Sequence, residues 1–350
     1  MQVDKDYCMA SYLQFRFILD PNKTFKAGVI PTNFQIAGPF YRINAADDVA
    51  AAIDDYIAPL FGDYSRTALM LSGGIDSAIL AAKVPRGTKA YTFRSDLPGT
   101  VDESPIAREY AEQFGLDHEI IELGWHDFLE FTPILMRAKG APIHSIAVQI
   151  YKAAVTARAA GFTNLLFGES ADILFGGFDG LLGRDYTTAQ FIDRYCFVNP
   201  EQVLVGGKII DAPFVQYTMD NGIVDVDRFC KDVFFREACD CYNVACETAG
   251  IHFASPYTKM RPAMPLDIAR IRSGDTKYFV REVFRKLYPN YQARTKIPMP
   301  RAVDQYLSNW QGPKRPEFKA GLSMDSFTGD QKWYLWCLEQ FLAGLDSGLA

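Results

Sequence analysis

From residue 46 onward the apolar positions alternate between short continuous runs and helical stripes. Within 47–61, Val49, Ile53, Tyr56, Ile57 and Leu60 share one face at helical spacing. Residues 68–71 form an unbroken apolar run, which predicts a strand buried on both sides. Strand and helix then alternate: a helix after Asp76, a strand at 90–93, a helix at 103–114, a strand at 118–123, helices at 126–138 and 145–160, a strand at 164–167 and a short helix from Ala171. Repeated units of this kind predict an α/β fold, a parallel sheet with helices on both faces. Residues 10–42 read differently. Apolar and polar residues alternate there around Tyr12, Phe15 and Phe17, with breaks at Pro21, Gly28, Pro31 and Gly38, so two or three short strands or an irregular lead-in are expected. Beyond residue 185 the pattern is mainly helical. A loop is expected at 311–330 and a closing helix at 331–345. The expected organisation is a lead-in at 1–45, one large domain at 46–310, and a loop with closing helix at 311–350.

Ligands of parallel α/β sheets collect at the carboxyl ends of the strands. Two such ends carry unusual residues. After the first strand comes Leu71-Ser72-Gly73-Gly74-Ile75-Asp76-Ser77, a glycine-rich turn opening a helix. Turns of this type present backbone N–H groups and a positive helix end to phosphate, although plain strand–turn–helix connections also use such pairs of small residues. Asp76 argues for the phosphate site, because an acid beside a phosphate implies a metal ion between them. The second strand end, nearly a hundred residues on, reads Phe167-Gly168-Glu169-Ser170-Ala171-Asp172-Ile173-Leu174-Phe175-Gly176-Gly177-Phe178.

The first turn lacks the lysine that closes a Walker loop. It resembles instead the PP-loop of the ATP pyrophosphatases, which split ATP between its α- and β-phosphates. The second segment is similar to S-G-E-G-S/A-D-E-x-F-G-G-Y of the asparagine synthetases and their β-lactam and lasso-peptide cyclase relatives. Arg294-Thr295-Lys296 resembles the R-x-K of the same enzymes, and Lys277-Tyr278-Phe279-Val280-Arg281 and the stretch from Gly250 to Tyr257 follow the family's order, so the resemblance spans roughly residues 45–305. It implies an AMP-forming carbon–nitrogen ligase that uses ATP and Mg2+. By that resemblance Leu71, Ser72, Gly73, Gly74, Asp76, Ser77 and Gly168 hold ATP, Asp76 and Asp172 hold magnesium, Lys296 follows the charge of the reacting phosphorus, and Glu169 accepts a proton from the attacking amine. The plainer roles are a helix-start acid for Asp172, a helix cap for Glu169 and a solvated loop residue for Lys296.

The departures from the pattern concern the substrate. Asp172-Ile173 stands where the family writes D-E, and Gly250-Ile251-His252-Phe253-Ala254-Ser255-Pro256 replaces G-V-E-x-R-x-P. Ala141 to Ile146, at the place of a T-T-I-R stretch, has no arginine. The expected acceptor is therefore a small-molecule carboxylate other than free aspartate. His252 is expected to be buried and hydrogen-bonded. Gln2 occupies position 2, and the 70 residues ahead of Leu71 are expected to be too few for a glutaminase domain. Nitrogen is expected from ammonia, an amine or a partner glutaminase.

Composition narrows the class further. The net charge is −6, with no basic run longer than a pair such as Lys314-Arg315, which argues against nucleic acid as substrate. No apolar stretch approaches membrane-spanning length and the first residues do not resemble a signal peptide, so a cytoplasmic protein with reduced thiols is expected. Cys239, Cys241 and Cys246 lie in a helix-like apolar stretch and read as core thiols. The alternatives are an ammonia-using asparagine synthetase proper and a PP-loop RNA-modifying or thiolating enzyme. The latter calls for a cysteine pair at the ATP site and a basic face, neither of which the sequence shows.

Overall fold

The computed structural model describes residues 1–62, 66–291 and 302–348. Two short strands, β1 (Gln2–Val3) and β2 (Lys23–Thr24), pair beside the helix α1 (Lys5–Phe15). Next come β3 (Tyr41–Ile43) and α2 (Ala46–Ile57). The Asp48 carboxylate accepts the N–H groups of Asn44 and Ala45 at 2.7 and 3.1 Å, which fixes where α2 starts. The alternating units follow as β4 (Thr67–Met70), α3 (Ile75–Lys83), β5 (Lys89–Ser95), α4 (Ser104–Phe114), β6 (Asp117–Leu123), α5 (Trp125–Lys139), α6 (Ser145–Ala159), β7 (Asn164–Leu166) and α7 (Ala171–Leu174). Two strands close the set, β8 (His252–Ala254) and β9 (Met260–Pro262), the latter paired with β3.

The central sheet has five parallel strands in the order β6-β5-β4-β7-β8. Its helices divide into two buried clusters. One gathers α1, α5, α6 and the closing helix Gly329–Asp346; the other gathers α2, α3, α4 and the helix Tyr278–Leu287. Helices thus cover both faces, and the expected α/β fold is present. β4 lies at the centre, and β7, its neighbour, carries the second chemical segment. That adjacency brings the two strand ends together.

Three expectations change. Residues 5–15 are a helix rather than strands, and Cys8 through Phe15 are all buried. A helix covered on every side shows no amphipathic stripe, so its period is hidden. β8 adds a fifth strand at a stretch of three residues, too short to leave a pattern. His252 is exposed at the entry end of β8, opposite the end where the site lies, and is neither buried nor near the chemistry.

Candidate active site

The ends of β4 and β7 open into a cavity of about 630 Å³. Leu71, Ser72, Gly73, Gly74, Asp76, Ser77, Gly168, Glu169 and Asp172 all line it. Lys296 and Arg294 lie outside the described residues. The close approach of the two segments depends on Gly168. A Cβ there would sit 2.8 Å from the Ser77 nitrogen and 3.1 Å from the Asp76 Cβ, so only glycine lets β7 press against the start of α3.

The glycine-rich turn is internally hydrogen-bonded. The Ser72 N–H donates to Ser77 Oγ at 3.0 Å, the Gly73 N–H to Glu103 Oε2 at 2.9 Å, and the Gly74 N–H to Ser72 Oγ at 3.1 Å. The amides are therefore not open donors as the turn pattern alone implied, and a phosphate must displace or share these partners. Glu103, at the start of α4, is buried, which raises its carboxyl above the usual range. Nothing in the motif reading pointed to it.

Across the turn, Asp76 and Asp172 meet at one ammonium. Lys277 Nζ lies 2.7 and 3.0 Å from the two Asp76 oxygens and 3.0 Å from Asp172 Oδ1. The two acids, from different strand ends, share a single cation position. Lys277 precedes the helix Tyr278–Leu287, which also aims Arg281 and Arg285 at the cavity. Arg281 Nη2 donates to Thr276 Oγ1 at 3.0 Å, while its buried Nε has no acceptor among the described residues.

Glu169 borders the same cavity. Its Oε1 accepts the Ser170 N–H at 2.8 Å and its carboxyl is hydrogen-bonded with Tyr242, yet desolvation dominates and pushes it up to about 7. Its backbone is held by Ser255, directly after β8, whose Oγ donates to the Glu169 carbonyl at 2.9 Å. The N–H that the Glu169 carboxyl accepts is that of Ser170, ahead of helix α7, rather than one in the helix's first turn, and the group remains poised to titrate near neutrality. Tyr242 and Glu237 reach the cavity from the helix Phe235–Thr248. Their sequence context reads as core, and only the fold reveals them. The same helix carries Cys239, Cys241 and Cys246, buried free thiols pushed well above their usual range by desolvation. No cluster of three or more metal-binding side chains occurs among the described residues.

Comparison with known proteins fits this arrangement. The asparagine synthase family model matches residues 63–202, from just before β4 to beyond α7. That segment resembles an asparagine synthase domain. The asparagine synthase match contains the glycine-rich turn, Glu169 and Asp172, so this segment is similar to that of an ATP-utilising, ligase-type family. It is narrower than the span of roughly residues 45–305 covered by the sequence motifs, and Lys277 falls beyond it. No curated protein matches the chain. Among solved structures, an NMN synthetase from Francisella tularensis is 15% identical over 59% of this chain and 94% of its own, with a TM-score of 0.29. The U34-tRNA thiolase NcsA from Methanococcus maripaludis, with its 4Fe–4S cluster, is 12% identical over 72% of this chain and 82% of its own, with a TM-score of 0.27. No described helix is long and apolar enough to cross a membrane.

Proposed function

We propose that the protein is an ATP-dependent, AMP-forming amide ligase that adenylates a small-molecule carboxylate and transfers ammonia or an amine to it. The observation that carries this reading is the shared cation position of Asp76 and Asp172, at the mouth of the glycine-rich turn and in one cavity with Glu169. Splitting ATP at its α-phosphorus asks a protein for positioning and charge neutralisation more than for covalent work. Two carboxylates within reach of one cation suit magnesium, which completes its shell with phosphate oxygens and water. Asp76 and Asp172 would hold that ion, which when bound neutralises charge on the departing pyrophosphate.

Around it, the protein's own side chains divide the work. The turn from Leu71 to Ser77 and Gly168 shapes the phosphate end, and Arg281 supplies a guanidinium whose Nε–H has no acceptor among the described residues. Lys296 is the proposed partner of the reacting phosphorus. Glu169, held near neutrality, takes the proton from the attacking amine. Free ammonia, an amine substrate or a partner glutaminase supplies the nitrogen. We place the reaction in the cytoplasm.

The test is pyrophosphate release from ATP, screened over carboxylic acids with and without ammonium. At least one acid should elicit stoichiometric AMP and pyrophosphate, and Asp76→Asn and Asp172→Asn should each reduce that rate at least about a hundredfold. Wild-type rates in either variant would remove the metal assignment.

A further inference from the structure

Lys277 is one of three non-glycine residues with a left-handed backbone among the described residues, at φ 49° and ψ 38°. A long, β-carbon-bearing side chain adopts that conformation only where its surroundings enforce it. Here the enforcement comes from both sides. The following helix is anchored by buried Tyr278, Val280 and Phe284, and its first turn closes on Lys277 through the Arg281 N–H donating to the Lys277 carbonyl at 2.8 Å. On the other side the ammonium ends against Asp76 and Asp172. The residue is 5% exposed. A strained backbone thus delivers a buried positive charge to the position that the two proposed magnesium ligands share.

We propose that Lys277 is a resident counter-ion of this two-carboxylate site and makes entry of a divalent cation conditional on nucleotide. The proposal rests on the assignment of Asp76 and Asp172 as metal ligands. An ammonium and a divalent cation cannot both occupy a gap only one hydrogen bond from each acid, because their repulsion at such separations is strong in a poorly solvated cavity. For a metal to enter, the ammonium must leave the carboxylates, and a buried ammonium leaves one anionic partner only for another. Nucleotide phosphates arriving beside the turn provide that partner. Without nucleotide the lysine stays and the metal is excluded. The order of assembly is thereby fixed: the acids do not sequester metal in the resting protein, and the metal site forms together with the bound triphosphate.

The experiment is titration of the full chain with Mn2+ alone, followed by electron paramagnetic resonance of the free ion, for wild type, Lys277→Met and the double variant Lys277→Met/Asp172→Asn. Wild type is expected to leave Mn2+ free. Lys277→Met should bind one Mn2+ at least about tenfold more tightly than wild type, and the double variant should lose that binding. Mg2+ alone should raise the melting temperature of Lys277→Met and leave that of wild type unchanged. A merely structural lysine would not create a metal site when removed. A second measurement uses wild type alone with a non-hydrolysable ATP analogue, subtracting the analogue's own Mn2+ binding in solution. Protein-bound Mn2+ should appear only with the analogue, whether or not Lys277→Met folds. Tight Mn2+ binding by nucleotide-free wild type would overturn the proposal, as would a folded Lys277→Met that binds no Mn2+. Failure of the ligase reading looks different: no acid elicits AMP, while the dependence of Mn2+ binding on nucleotide persists.

Discussion

Glu169 has two competing demands on its proton, and they lead to opposite pH trends. In the folded chain burial keeps the carboxyl protonated up to about 7, against an ordinary value of 4.5. Between those values the folded state binds more protons than the unfolded state, so this residue's contribution to stability falls as pH rises from about 4.5 to about 7 and is constant above. Glu169→Gln carries no titrating proton. Its melting temperature should lack that segment of the wild-type decline, and two parallel curves would show that this carboxyl is not the buried titrating group. In turnover the base must be ionised, so amide formation should rise with pH and reach half its maximum at about 7. Glu169→Gln should still exchange pyrophosphate into ATP while losing at least about a hundredfold in amide formation. Equal losses in both steps would move Glu169 from proton transfer to adenylation.

At the scale of elements, the short helix α7 depends on the residues that follow it. A Cβ on Gly177 would fall 2.0 Å from Asp172 Oδ1 and 2.7 Å from its Cα, and the Gly177 N–H donates to the Asp172 carbonyl at 2.7 Å. Gly177→Ala should therefore push Asp172 off its cation position without removing a carboxylate, at a stability cost of about 1–3 kcal/mol for the overpacking. We expect pyrophosphate release to fall at least about tenfold, with the fold intact by circular dichroism; unchanged release would mean that α7 tolerates the shift. This element also shows what the sequence made legible. The glycines, Asp76 and Asp172 stand in dense local patterns, and the strands that carry them end in short unbroken apolar runs directly before those patterns, so both the sheet and the meeting of its two ends could be read in advance. Glu103, Glu237 and Tyr242 could not. Each reaches the cavity from a helix whose own pattern reports only packing, and its distance from the turn along the chain carries no signal. Lys277 stands between: its spacing to Arg281 was visible, but not that its ammonium joins two aspartates. α1 stayed hidden because burial on every side erases the stripe by which a helix is recognised.

At the scale of the molecule, the walls of the cavity decide what enters it. The segment at Ala141 to Ile146 contributes His144 and Ile146, and the segment around the helix Phe235–Thr248 contributes Phe234, Glu237 and Tyr242. No arginine or lysine among the described residues of these segments lines the cavity. Ala254, where the family pattern has arginine, is buried in β8 and lies outside the lining. On these two walls a second carboxylate on the acceptor finds Glu237 and aromatic rings, while the guanidinium groups of Arg281 and Arg285 line the cavity from the helix Tyr278–Leu287. Losing a bidentate contact of that kind costs about 1–3 kcal/mol, roughly tenfold or more in affinity. Free aspartate should be a poor acceptor, and steady-state kinetics with aspartate and ammonium provide the check. Efficient asparagine formation at sub-millimolar aspartate would show that other groups hold the second carboxylate.

The burial of α1 also constrains how the chain acquires its fold. Tyr12 stacks on Tyr334 with ring centroids 5.0 Å apart, the Tyr12 hydroxyl and the Trp333 indole N–H both donate to the Ile143 carbonyl, at 2.8 and 3.0 Å, and Lys26 donates to the Leu345 carbonyl at 2.7 Å. Helix α1 is thus covered by a helix more than three hundred residues further along the chain. During translation α1 waits with its apolar surface open while more than three hundred residues follow it, and closing so long a loop is slow. In that interval the half-built chain offers a sticky apolar face to chaperones and to other nascent copies. Yield in a heterologous host is therefore expected to depend on the time that passes before the closing helix docks.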